Sequence, residues 1–504
     1  MKNFFHTVAI MAAASFVRSD DCQLMRDTQE RAREEIIAHG HALRLEIVRQ
    51  QGGSESVNST LLGDLFYNTY TFTANHTWEI FDEDCTTFVT TGDIAQMWLR
   101  DSSVQMSTYV HHAHLLPNVR SVLESIILRQ LRFFLGDPYG SAFFRSTGPN
   151  DGPNRNECPP TESCPDCICA QCAPACSNYT YQHDFELDSP LFMFLLQYKY
   201  WQHAPLTAPA FLKENVEVTD ALRPLIQLMT TEQNHFRDSD YFYKDLPRAF
   251  ADGTGMVWSF ARPSDDQVVF GYNIPQNIMA VSVLGKLQEM NDALWQDDDI
   301  ATSLVTLKTS IEEGVERHGI LSTFDPSGND VFAFEVDGWG NWSTDVLDDA
   351  NMPNLVWLPY LFGSTKNTTN VGSSSGIDSM EVVYQDTRSM ILNAANENWF
   401  DGAPTSPGNY GLGSQHISGG LRPVWPGPGC SQQCIWHLGL IMQAMTSSSN
   451  TEKEACLQQV AATAWHGLMH EGFNDLDNQE YNRDYFGWAN ALFAEWVLED
   501  FLSR

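Results

Sequence analysis

The chain has 504 residues, 43% of them apolar and 12% aromatic, with 29 Phe, 16 Tyr and 14 Trp, which supplies a large buried core and excludes a disordered polypeptide. Its 64 acidic against 29 basic residues give a formal charge of −35. That field repels nucleic acid and anionic membranes, so neither is expected as a partner and a neutral substrate fits best.

Met1-Lys2-Asn3, an apolar stretch from Phe4 to Val17 and then Arg18-Ser19 have the layout of a secretory signal peptide over residues 1–19. No later run reaches the roughly 18 to 20 consecutive apolar residues of a membrane helix, so residues 20–504 are expected to be soluble and secreted, in an extracellular or vacuolar setting. Sequons at Asn58, Asn75, Asn178, Asn341 and Asn367 predict N-glycans on exposed loops. Six of the eleven cysteines crowd between Cys158 and Cys176. A metal cluster is one reading; a surface insert stapled by disulfides is the other, and an oxidising compartment favours it. Cys430 and Cys434 are spaced to close a small loop. Cys22, Cys85 and Cys456 remain for long-range pairs, and the odd total leaves one thiol over.

Helical periodicity is readable over 24–49, 119–135, 189–203, 272–291, 302–317, 380–397, 434–446, 453–468 and 484–503. The connections at 136–155, 251–266 and 401–433 are long and aromatic, which suits chemistry placed on ordered loops rather than linkers between domains. The expectation is one all-α catalytic domain, 20–504, in which paired helices form a toroid.

Three segments carry candidate chemistry. TGDIAQMWLRDSS, 91–103, reads as a loop in which Arg100 and Asp101 grip sugar hydroxyls and Trp98 covers an apolar sugar face; a surface Arg100–Asp101 salt bridge is the plainer alternative. In DGTGMVWSFARPSDD, 252–266, Ser264 and Gln267 resemble a capping box that places Asp265 and Asp266 in a helix's first turn. A helix N-terminus lowers a carboxyl pKa whereas a general acid needs it raised, so burial or a neighbouring anion must reverse the effect. In AWHGLMHEGFN, 464–474, Glu471 sits between His470 and Phe473, in aromatic surroundings for a residue type that is usually solvated.

Taken in chain order, these segments, with FELDS at 185–189, YNIPQNIMA at 272–280, LPYL at 358–361 and GLGSQH at 411–416, are similar to the motifs of glycoside hydrolase family 125, over roughly residues 55–500. The resemblance implies an (α/α)6 barrel and a metal-independent exo-α-1,6-mannosidase without cofactor. One of Asp266 and Asp265 would be the general acid and Glu471 the general base of an inverting reaction. Arg100 and Asp101 would hold the terminal mannose, with Trp98, Glu186, Asp188, Arg262 and His416 around it. The chain departs from the family at Gly472, where a serine is usual, and at Asn482-Arg483-Asp484-Tyr485, where Thr-Arg-x-Trp is usual. No calcium-loop spacing or His-Glu-x-x-His motif occurs. The alternatives are a glucoamylase-like (α/α)6 α-glucosidase and an inactive glycan-binding protein of the same fold.

Overall fold

The computed structural model describes residues 19–50, 57–145, 177, 179–241, 249–322, 328–344, 346–362, 381–401, 409–414 and 434–502. The expected signal segment up to residue 18, the 158–176 insert, Asn178, Asn367 and His416 lie outside the described residues.

Helices that bury one face follow the apolar period. Helix α1 spans Ser19–Arg49 and α2 Ser59–His76; α3 is Leu99–Val110, α4 Pro117–Gly136, α5 Asp188–His203 and α6 Val216–Glu232. Helix α7 is Ile274–Met290, α8 Asp298–His318, α9 the single turn Leu358–Leu361 and α10 Glu381–Ile391; α11 is His437–Met445, α12 Asn450–Thr463 and α13 Gly487–Val497. In α8 the buried positions Ile300, Leu304, Leu307, Ile311 and Val315 lie at helical spacing. Its start is fixed by Asp297, whose carboxylate accepts from the amides of Asp299 and Ile300 at 3.0 and 2.9 Å, with acids in the first turn and Arg317 and His318 in the last.

The helices form two layers. Helix α13 packs on α3, α3 on α5, α5 on α7 and α7 on α9, while α11 packs on α13, which gives an inner series of neighbouring helices. Outside, α1 packs on α2 and α4, α4 on α6, α6 on α8, and α12 on α2. One contiguous hydrophobic cluster runs through both layers from Ala32 to Leu498.

Helix α3 corrects the expectation of a loop at 91–103. From Leu99 on the chain is helical, and every residue to Val110 is buried, including Arg100, Asp101, Ser102, Ser103 and Gln105. An inner helix has no solvent face, so its polar groups are satisfied internally: Gln105 Nε2 donates to the Thr90 carbonyl at 3.0 Å, and Thr108 Oγ1 to the Ala491 carbonyl at 2.8 Å. The first inner helix starts where a short strand ends. Met97–Trp98 pairs with Ala142–Phe143 before α3, Tyr272–Asn273 pairs with Glu335–Val336 before α7, and Cys434–Trp436 pairs with Gly472–Asn474 before α11. These strands lead the chain into the inner helices and place side chains around their N-terminal ends.

Cys22 and Cys85 form a disulfide, and Cys456 is a buried free thiol. Among the described residues, no helix is long and apolar enough to cross a membrane. Asn58, Asn75 and Asn341 are exposed.

Candidate active site

A cavity opens beside the start of α3 and is lined by Trp98, Arg100 and Asp101, by Asp265 and Asn351, and by Trp436, Glu471, Arg483 and Trp488. Arg100 sits in the first turn of α3 with its side chain 4% exposed. Its Nη1 donates to Glu186 Oε2 at 2.5 Å and lies 3.5 Å from Asp188 Oδ2, its Nη2 is 3.7 Å from Asp265 Oδ1 and its Nε 3.5 Å from Asp101 Oδ2. The guanidinium also lies over the Trp488 ring, 5.1 Å from its centroid.

One cation among several buried carboxyls leaves an excess of negative charge. Burial pushes Glu186 well above and Asp188 above the usual carboxyl range, against the pull of Arg100. Burial likewise raises Asp101 to about 6, with Arg100 and Arg483 pulling down and Asp265 pushing up. For Arg100 itself burial acts downward, and Glu186, Asp101, Asp188 and Asp265 overcome it and raise the pKa.

The folded state binds the Asp101 proton more tightly than the unfolded chain, so this group's stabilising contribution is full below its unfolded pKa of about 4 and is lost as pH rises through about 6. Asp101→Asn removes that dependence. The Tm of the wild type relative to Asp101→Asn is therefore expected to increase as pH falls from 7 to 4 in thermal scans; a constant difference would contradict it.

The segment after Trp258 is a turn, not a helix, which corrects the capping-box expectation. Ala261 bridges Gln267 antiparallel, Val268 N donates to the Phe260 carbonyl at 2.9 Å, and Asp265 has φ 63°. Ser264 Oγ donates to Asp266 Oδ2 at 2.8 Å, so the serine serves a side chain rather than a backbone amide. Neither Asp265 nor Asp266 lies in a helix's first turn. Asp265 faces the cavity, where Gln182 Nε2 donates to its Oδ1 at 3.3 Å, whereas Asp266 is not among the cavity's lining residues. Arg262 turns to Glu335, with its Nε donating to Oε1 at 2.5 Å; Glu335 Oε2 accepts from the amides of Val269 and Phe270 at 2.9 and 3.2 Å. Arg262 thus clamps the turn.

Glu471 immediately precedes the strand Gly472–Asn474, which pairs with both Cys434–Trp436 and Tyr481–Asn482. Arg483 Nη1 donates to its Oε1 at 3.2 Å, and Arg483 Nε donates to Asp93 at 2.8 and 3.0 Å. Trp98, Trp436 and Trp488 supply aromatic walls.

The structure therefore brings Trp98, Arg100, Asp101, Asp265 and Glu471 onto one cavity. Glu186 and Asp188 sit behind Arg100 with fully buried carboxylates, Ser189 Oγ and Gln276 Nε2 donating to them at 2.8 and 2.6 Å; they hold the arginine rather than face the space. Sequence reasoning missed Asn351 and Trp436, counted Asp93 only as one of two acids in the 91–103 segment, met Trp488 only in the aromatic run that follows Glu471, and met Arg483 only as a departure from a motif. Asn351 is oriented by Asp349, whose Oδ1 accepts from its backbone and side-chain nitrogens, both at 2.8 Å. The DDAN run at 348–351 was the available signal.

Residues 59–498 match the family model described as metal-independent alpha-mannosidase (GH125). The chain belongs to glycoside hydrolase family 125. The GH125 chain is similar to a Streptococcus pneumoniae metal-independent α-mannosidase solved in a non-productive substrate complex with α-1,6-mannobiose, at 29% identity and a TM-score of 0.70, over 96% of this chain and 98% of that one. It is also 30% identical over 447 residues to the meiotically up-regulated gene 157 protein of Schizosaccharomyces pombe, covering 83% of this chain and 77% of the relative. The two helical layers are those of the (α/α)6 toroid expected for GH125.

Proposed function

We propose that this GH125 chain hydrolyses terminal non-reducing α-1,6-linked mannose, acting from the chain end and with inversion of configuration. The observation that carries the reading is that two carboxylates, Asp265 beside Arg100 and Glu471 beside Arg483, share one tryptophan-walled cavity. Asp265 protonates the glycosidic oxygen as the bond to the anomeric carbon breaks. Glu471 takes a proton from the water that attacks the opposite face, which in an inverting enzyme calls for a carboxyl separation of about 6.5–9.5 Å. Arg100 and Asp101 hold sugar hydroxyls, the tryptophans cover the sugar's carbon faces, and Asn351 adds an amide to the hydroxyl-binding set. The solved S. pneumoniae relative in complex with α-1,6-mannobiose supports the linkage.

The same reading includes passage through the secretory route, extracellular or vacuolar, supported by the signal-like first residues and by the exposure of Asn58, Asn75 and Asn341.

A substrate panel tests the reading. Turnover of α-1,6-mannobiose is expected to exceed that of the α-1,2- and α-1,3-linked dimers by at least about tenfold in kcat/KM, equivalent to about 1.4 kcal/mol of discrimination, with no cleavage of maltose. Preference for maltose would move the chain to a glucoamylase-like activity, and binding without turnover would make it a lectin.

A further inference from the structure

Beyond the acid and base, the cavity wall holds an ionic chain. Asp93 lies on the segment leading into α3, and Arg483 follows the strand Tyr481–Asn482. The Arg483 guanidinium meets both Asp93 oxygens through Nε, at 2.8 and 3.0 Å, and reaches Glu471 Oε1 through Nη1 at 3.2 Å. Its side chain is 7% exposed, with Asp93 at 18% and Glu471 at 14%, so solvent screens these charges weakly. Three features fix the arginine: its carbonyl meets His470 Nδ1 at 2.8 Å, its guanidinium lies 4.7 Å from the Phe486 ring centroid, and its backbone has φ 56°. A left-handed backbone is costly for a β-carbon-bearing residue and is retained where the surroundings over-determine it; Asp265, also on this cavity, shares it.

We infer that Asp93 and Arg483 form a positioning couple for Glu471, in which Arg483 fixes the carboxylate through Oε1 and Asp93 compensates the arginine's charge. The inference rests on the reading of Glu471 as the general base. Two requirements meet in this arrangement. A general base works only if ionised and aimed at its water, and a bare cation beside it satisfies both while making it a poorer proton acceptor. Asp93, held side-on by the same guanidinium, offsets that loss. The other charged groups facing this corner are Asp101, on the N-terminal turn of α3, with Arg100 and Asp265 on the same cavity; on the segments bearing Glu471 and Arg483 themselves are His470, which burial holds at about 4 and therefore neutral near pH 7, and Asp484.

The couple predicts opposite responses from its two members. Arg483→Gln removes the cation, so the acid limb of the kcat/KM profile on α-1,6-mannobiose moves up by about one pH unit; Asp93→Asn leaves the cation uncompensated, so the limb moves down by a similar amount. In both, kcat falls about 10- to 100-fold with KM nearly unchanged, because the base is mis-aimed or weakened while the sugar is still held. Limbs that do not separate in opposite directions overturn the couple whatever the fall in kcat. Should Arg483→Gln not fold, Asp93→Asn decides alone, and a limb that stays or rises overturns it. Glu471→Gln assayed alongside separates the two levels: wild-type turnover in that variant removes the base assignment itself, whereas its loss together with unseparated limbs removes only the couple.

Discussion

Glu471→Gln is expected to lower kcat on α-1,6-mannobiose by about 10²- to 10⁴-fold, the range attributed to a positioned general base. The substitution keeps the shape and the partner: Arg483 Nη1, now 3.2 Å from Oε1, can still donate to the amide oxygen. What the variant would lose is the negative charge proposed to take the proton from water. KM should change little if the sugar's hydroxyls are held, as proposed, by Arg100, Asp101 and Asn351. The loss should also be independent of leaving group, because activation of water is needed however easily the glycosidic bond breaks. Steady-state kinetics on the mannobiose and on 2,4-dinitrophenyl α-mannoside check this, and a variant within tenfold of wild type on both would remove Glu471 from the mechanism.

Asp265→Asn should differ in just that respect. Loss of the general acid is expected to lower kcat/KM on the mannobiose by about 10²- to 10⁴-fold, while the dinitrophenyl mannoside, whose leaving group departs without protonation, should lose less than about tenfold. The neighbouring aspartate is the internal control. Asp266 accepts from Ser264 Oγ at 2.8 Å and does not line the cavity, so Asp266→Asn should affect both substrates alike and mildly. If the leaving-group dependence follows Asp266 instead, the roles within the pair are exchanged.

What the sequence disclosed tracks how each element is buried. Helices with one solvent face, such as α1, α4 and α8, carry the 3.6-residue period and were readable within a few residues. Helix α3 has no such face; its buried Arg, Asp, Ser and Gln residues erase the amphipathic pattern, and it reads as a loop. Pro224 inside α6 and the β-branched and aromatic run of α2 likewise hide helices whose stability comes from packing. The expected 380–397 helix stops at Ile391, after which Asn393 and Asn396 bond to local backbone, the competition that makes such side chains poor helix formers.

The site was legible where one segment concentrates unlike residue types. Trp98-Leu99-Arg100-Asp101 and the Asp265-Asp266 pair stood out for that reason. Which carboxylates face substrate and which merely hold Arg100 is a matter of direction, and spacing alone did not place Glu186 and Asp188 behind the arginine. Asp93 and Arg483 are 390 positions apart, a separation at which no local pattern joins them. The capping box at Ser264 misled because its serine found a carboxylate instead of an amide.

If Asp265 and Glu471 act together in one displacement at the anomeric carbon of a terminal mannose, the product leaves with inverted configuration. Proton NMR of α-1,6-mannobiose hydrolysis, recorded before mutarotation, tests substrate, activity and stereochemistry at once: the anomeric signal of β-mannose is expected first and that of α-mannose only later, and α-mannose released first would exclude inversion by this pair.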